Sequence, residues 1–134
     1  MRRFPAGTRT SQDAANAIGV EVARIVKSLV FVTGDETVVV LCSGASRVDE
    51  AKLAPVVGGV TRRATADEAK TATGYAIGGV PPFAHASACR VVCDRGLLAF
   101  DVVWAACGLP DAVFSITPSD LVRLSAATVS DVAG

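Results

Sequence analysis

The chain has 134 residues, 51% hydrophobic and 19% charged, and its 13 basic side chains balance 13 acidic ones. That length supports one domain with a substantial buried core, and the composition excludes a disordered chain. Zero net charge excludes a protein that coats nucleic acid through a general basic excess, so any RNA contact has to rest on a small local patch.

Candidates for such a patch are Arg2, Arg3 and Arg9 at the start and Arg62-Arg63 in the middle, with scattered solvated charges as the plainer reading of each. No apolar run reaches the ~18–20 residues that cross a bilayer. The start, Met1-Arg2-Arg3-Phe4-Pro5, lacks the apolar stretch of a secretory signal. A cytoplasmic protein without membrane contact is the expectation.

Taken in order, Thr10-Ser11-Gln12-Asp13 opens a helix with a capping oxygen at Thr10, and Gly19 can close it in the left-handed conformation. Ile25 to Val32 reads as a strand apolar on both faces, which belongs inside a sheet covered on both sides. Lys27 falls on its Ile25/Leu29/Phe31 face. An ammonium there has to snorkel out, meet a carboxylate or line a polar cavity. Thr33-Gly34-Asp35-Glu36 reads as the hairpin turn to a return strand, Thr37 to Cys42.

Val48 to Ala54 reads as a short helix stopped by Pro55 and Gly58-Gly59, and Val60 to Arg63 as a brief strand. Thr65-Ala66-Asp67-Glu68 is a capping box, and the helix it starts ends at Gly74. Arg90 to Asp94, Ala99 to Ala106, Ala112 to Ile116 and Thr128 to Val132 read as strands, the second with a first turn that can be helical. A turn is expected at 108–111. Thr117-Pro118-Ser119-Asp120 starts the last helix, with proline at its first position. The sum is a single α/β domain over 1–134 with about seven short strands and three or four helices. Its sheet is expected to be mixed, largely antiparallel and curled towards a barrel.

Gly74 delivers the chain into Tyr75-Ala76-Ile77-Gly78-Gly79-Val80-Pro81-Pro82-Phe83-Ala84-His85. The two glycines let backbone amides approach a ligand, and the two prolines make the rest of the loop stiff and extended. A preformed backbone pocket or a tight inter-strand turn both fit this pattern. His85, Cys89 and Cys93 would align as metal ligands on a helix. Arg90 to Cys93 reads as strand, however, which separates the two thiols by about 13 Å. No metal or cofactor is therefore expected, and Cys42, Cys89, Cys93 and Cys107 read as buried reduced thiols. The chain lacks a nucleophile elbow, a phosphate loop and a dinucleotide fingerprint, and it has one histidine. A backbone-lined pocket with one lysine can still polarise a carbonyl and position water.

The chain resembles the YbaK / prolyl-tRNA-synthetase-associated editing domain family. The matching stretches are Thr8-Arg9-Thr10 with Ala14-Ala15, Ile25-Val26-Lys27-Ser28-Leu29, Thr73-Gly74-Tyr75 with Gly78-Gly79-Val80-Pro81-Pro82, Val92-Cys93-Asp94, and Ile116-Thr117-Pro118 with Leu121. The resemblance implies a YbaK-like fold and a free-standing aminoacyl-tRNA deacylase, hydrolysing the ester of a mischarged tRNA that carries a small amino acid. It implies no protein nucleophile and no DNA contact, with the tRNA 3′ end as ligand and a synthetase as a further partner. Lys27, Gly78 and Gly79 would be the catalytic residues, and Tyr75, Pro81, Pro82, His85 and Asp94 would bind substrate.

Three departures stand out. Ala84 occupies the place of a family glycine, which strains the loop if φ is positive there. Ala106 replaces a polar residue that helps select the amino acid in some members, against a cysteine-removing subtype. The segment ahead of Phe4-Pro5 is short. An inactive module of the same fold, binding a metabolite, a tRNA end or a synthetase, is the alternative. Alanine, cysteine, serine and threonine all stay open as the amino acid removed.

Overall fold

The computed structural model describes residues 2–3, 11–76, 79–87, 89–106 and 112–134. The elements in chain order are β1 (Arg2–Arg3), α1 (Ser11–Ile18), β2 (Ile25–Thr33), β3 (Glu36–Ser43), α2 (Glu50–Val57) and β4 (Arg62–Arg63). Next come α3 (Ala66–Thr73), β5 (Arg90–Asp94), β6 (Val103–Ala106), β7 (Ala112–Ile116), α4 (Pro118–Ser125) and β8 (Thr128–Ser130). Gly34, with φ +58°, stands at the first central position of the two-residue turn joining β2 to β3, which run antiparallel from Val26↔Ser43 to Thr33↔Glu36.

These strands form one mixed sheet in the order β1-β7-β6-β2-β3-β5-β8, with β4 pairing β2 off that path. β2/β6, β3/β5 and β5/β8 are parallel, and the remaining pairs are antiparallel. The sheet curls without closing, because its ends, β1 and β8, do not pair.

β2 is covered on both faces, as its two-sided apolar pattern predicts. Val26 and Val30 pack with Val39, Leu41, Val91, Val103, Leu97 and Leu121 on one side. Phe31 packs with Val38, Val40, Val92 and the α2 residues Leu53 and Val57 on the other. Ala14 and Ala15 of α1 cover Ile25.

Of the element boundaries that differ from expectation, two have a clear physical cause. Pro55 lies inside α2, which runs to Val57 and ends at Gly58 with φ +82°. Proline removes the bond to the Ala51 carbonyl, but both residues are exposed, so water can serve that carbonyl while Leu53 and Val57 stay buried. The strand expected from Ala99 starts only at Val103. The preceding Arg95–Ala99 segment is a 3₁₀ turn, capped by the Asp94 carboxylate and anchored by fully buried Leu97. The expected Thr10 cap, Cys107 and the turn at 108–111 lie outside the described residues.

α4 ends on Ala126, an exposed non-glycine residue in the left-handed conformation (φ +53°). A Cβ there costs about 1 kcal/mol, and no packing is lost by removing it. Ala126→Gly is expected to raise unfolding free energy by ~0.5–1 kcal/mol in urea titration. An unchanged or lower midpoint would show that the cap is not strained.

Candidate active site

The site begins with an interruption in the sheet. On one edge of β2, β6 pairs only as far as Val26, opposite Ala105. On the same edge β4 begins at Phe31, opposite Arg63, and Ala64 N–H donates to the Val30 carbonyl at 2.9 Å. Lys27, Ser28 and Leu29 have no strand beside them there. Strand alternation decides which backbone groups face this gap. The Ile25 carbonyl accepts from Gly44 N–H beyond the end of β3, so Ile25, Lys27 and Leu29 direct their backbone groups to β3. Ser28 shares the parity of Val30 and directs its N–H and C=O into the gap.

A cavity of about 160 Å³ occupies the gap. Val26, Leu29, Val30, Ala64, Val80 and Ala106 give it aliphatic walls, and Lys27, Ser28 and Arg63 are its polar members. The Ser28 hydroxyl is buried and has no hydrogen-bond partner among the described residues.

Val80, 3% exposed, belongs to the glycine–proline loop. That loop is firmly anchored. The capping box of α3 is closed by Thr65 and Glu68. Paired bonding from Arg62, with help from the Thr65 amide, holds the Glu68 carboxyl down at about 2. At the other end, Gly74 adopts φ +84° and Thr73 Oγ1 donates to the Ala69 carbonyl at 2.7 Å. Ala86 and Ser87 N–H return to the Thr73 and Ala72 carbonyls, so the segment leaves and rejoins α3 at one place.

Inside the loop, Gly79 N–H donates to the Ala76 carbonyl, and Pro81 and Pro82 are buried. His85 Nε2 lies 2.8 Å from the Pro81 carbonyl, which only accepts, so Nε2 carries a proton. Tyr75 Oη donates to the Ala84 carbonyl at 3.3 Å. Ala84 has φ +64°, so the position that carries glycine in the family pattern is left-handed in this chain.

A second opening, of about 310 Å³, shares Lys27, Leu29 and Arg63 with the first and adds Phe31, Arg47, Val48 and Glu50. Three cations thus face one carboxylate. Arg63 stacks over Phe31 at 5.4 Å, and Glu50 accepts from Thr61. Lys27, Arg47 and Arg63 form no salt bridge with a described residue, whereas Arg24, Arg62, Arg90 and Arg123 are each paired. Cys42 lies directly opposite Lys27 on β3. Burial pushes its thiol up to about 11, against the downward pull of Lys27, and burial pushes Cys93 up to about 12. Both are neutral thiols rather than nucleophiles. Among the described residues no three His, Cys, Asp or Glu side chains gather to hold a metal.

Of the residues singled out in the sequence, Lys27 lines both cavities. Gly79 immediately precedes the wall residue Val80, and Gly78 lies outside the described residues. Tyr75, Pro81 and His85 brace the loop through its own carbonyls. Asp94 stands apart from both linings. Its buried carboxylate accepts from the amides of Gly96, Val132 and Ala133, which ties the C-terminal segment to β5. Sequence reading passed over Ser28, Arg47, Ala64 and Val80. Ser28 carried a usable signal, being a polar residue between Val26 and Val30 on an apolar face, the same anomaly that marks Lys27 on the other.

Comparison with known proteins agrees with this fold. A model of the aminoacyl-tRNA editing domain matches residues 5–124. YwhH of Bacillus subtilis is 34% identical over 126 residues, covering 93% of this chain and 80% of that protein. A proline–tRNA ligase of Stenotrophomonas maltophilia is 38% identical over 106 residues, covering 74% of this chain but 18% of the ligase. A crystal structure assigned as a candidate trans-editing enzyme for prolyl-tRNA synthetase superposes with TM-score 0.95 at 45% identity, over 99% of this chain and 85% of that one. The match to most of the chain in both sequence and fold places it in the aminoacyl-tRNA editing domain family.

Proposed function

We propose that the chain is a trans-editing deacylase that hydrolyses the ester of a mischarged tRNA carrying a small amino acid. The observation that carries this reading is the junction of two unlike cavities at Lys27, Leu29 and Arg63. One side is cationic and suits the phosphates of a tRNA 3′ end; the other is small and largely aliphatic and suits an amino-acid side chain. An aminoacyl ester laid across the junction would have its carbonyl beside the loop that supplies Val80.

In this mechanism Lys27 and Arg63 hold the sugar–phosphate. The parity of Lys27, shared with Leu29 and Phe31, favours that role over one inside the aminoacyl cavity. Backbone groups at Gly78 and the carbonyl of Gly79, whose N–H is held by Ala76, position a water, and the loop bracing by Tyr75, Pro81 and His85 keeps them in place. Water oxygen adds to the ester carbon, the bond to the ribose oxygen breaks, and that oxygen leaves with a proton. The products are free amino acid and uncharged tRNA. The neutral thiols of Cys42 and Cys93 fit a route without a protein nucleophile. Asp94 acts at a distance in this scheme, fixing the strand next to β3 rather than touching substrate. The whole of residues 1–134 serves as one editing domain working in the cytoplasm, with a synthetase as a further partner.

The strained Ala84 favours a second reading, in which the fold is kept as a binding module for a tRNA end, a metabolite or a synthetase without hydrolysis.

Hydrolysis of Ala-, Cys-, Ser- and Thr-tRNA by wild type and Lys27→Ala separates the two. Release of at least one amino acid above the buffer rate is expected, falling roughly 10–100-fold in the variant, as loss of a charge-assisted contact implies. A folded wild type inactive on the whole panel would leave the binding module. Arg47→Ala with Arg63→Ala should lower kcat/KM and flatten its dependence on salt by about two phosphate contacts; an unchanged salt slope would remove the cationic opening from the tRNA path. Ala84→Gly should raise unfolding stability by about 1 kcal/mol without lowering deacylation. A less active Ala84→Gly protein would mean that the alanine, strain included, is needed for function.

A further inference from the structure

Among the described residues, buried hydroxyls other than that of Ser28 are satisfied. Ser43 Oγ donates to the Ala23 carbonyl at 2.8 Å, Thr73 Oγ1 to Ala69 at 2.7 Å, and Ser125 Oγ to Leu121 at 2.6 Å. Ser28 Oγ is the exception among the described residues. Leaving a buried hydroxyl unpaired costs folding free energy, and alanine at this place would avoid the cost. A group that the fold tolerates at a loss, located in a cavity at the proposed site, points to a ligand that completes it.

The position of Ser28 decides what that ligand is. It stands midway along the uncovered stretch of β2, with its own N–H and C=O directed into the same gap. Its side chain takes the face of Val26 and Val30, opposite to that of Lys27. On this face the cavity walls are aliphatic, formed by Val26, Val30, Ala64, Val80 and Ala106. A charged group would find no counter-charge among these walls; the cations of the cavity, Lys27 and Arg63, are the members it shares with the second opening. A methyl group would fit but leave the hydroxyl unpaired. A hydroxymethyl group would fit and pair it, and a thiol would pair it weakly.

Resting on the deacylase reading, we propose that Ser28 is a specificity-determining residue that reads the β-hydroxyl of the aminoacyl side chain, so that seryl and threonyl esters are preferred to cysteinyl and alanyl ones. Ser28 donates to or accepts from that hydroxyl, and the gap supplies backbone groups for the remaining bonds. Discrimination of this kind is strong because a site built around a buried hydroxyl is left unpaired by the analogue that lacks it.

The test compares kcat/KM on Ser-tRNA and Ala-tRNA for wild type, Ser28→Ala and Ser28→Thr, with thermal unfolding of each. Wild type should favour Ser-tRNA by about tenfold. Ser28→Ala should lose that preference while retaining hydrolysis of Ala-tRNA, and its Tm should rise by about 2–5 °C as the unpaired hydroxyl is removed. Ser28→Thr keeps the hydroxyl and should keep the preference. An active wild type whose Ser/Ala ratio is the same in Ser28→Ala overturns this inference and leaves the deacylase standing. A wild type inactive on every charged tRNA overturns both.

Discussion

The arrangement depends on one constraint: β2 has to be hydrogen-bonded along both edges, yet no single strand serves its second edge. β6 arrives parallel and stops at Val26; β4 arrives antiparallel from the other end and starts at Phe31. Two strands of opposite direction cannot be merged into one ladder, because their hydrogen-bond patterns differ. A three-residue interval without a strand beside it is the geometrical result, and the Ser28 backbone groups face into it. Elsewhere such an edge would be a liability that folds cover. Here it lies under the glycine–proline loop, so the polar backbone is shielded from other chains but remains open to a small ligand.

That loop can roof the gap only because its ends are fixed. The capping box at Thr65, the left-handed Gly74 and the return bonds of Ala86 and Ser87 hold entry and exit against α3. Two prolines between them reduce the conformations available, and the His85 contact to the Pro81 carbonyl closes the turn on itself. Preorganised backbone is what a site with one lysine, one histidine and neutral thiols has to rely on. The strain at Ala84 is the cost of holding that shape with a Cβ present.

Much of this was legible in the sequence because its signals are local. The two-sided apolar run of β2, the hairpin at Gly34, the capping box, the Arg90–Asp94 strand and the proline-led α4 all lie where periodicity and capping chemistry put them. Membership of the family was legible as well, from motifs spread over most of the chain. The pairing of strands was not. Which strand lies beside β2 is settled by contacts between residues far apart, and β1 is too short for any period to mark. Pro55 is a misleading stop signal, because exposure of the orphaned carbonyl, and not proline alone, decides whether a helix ends. Asp94 shows the same limit: no local pattern reveals that its carboxylate meets amides 38 and 39 positions further on.

The most informative residues are those that break the pattern of their own face. Lys27 interrupts the apolar row of Ile25, Leu29 and Phe31, and Ser28 interrupts that of Val26 and Val30. Consecutive residues of a strand point to opposite sides, so one dipeptide brings a cation and a hydroxyl to the site, Lys27 lining both cavities and Ser28 only the first. In a chain with zero net charge, Arg24, Arg62, Arg90 and Arg123 are paired and contribute little field. The imbalance at Lys27, Arg47 and Arg63 is therefore local, and it sits where the gap opens. A ligand drawn by charge to one side of β2 would be read for shape and polarity on the other. The interrupted edge makes the two sides continuous.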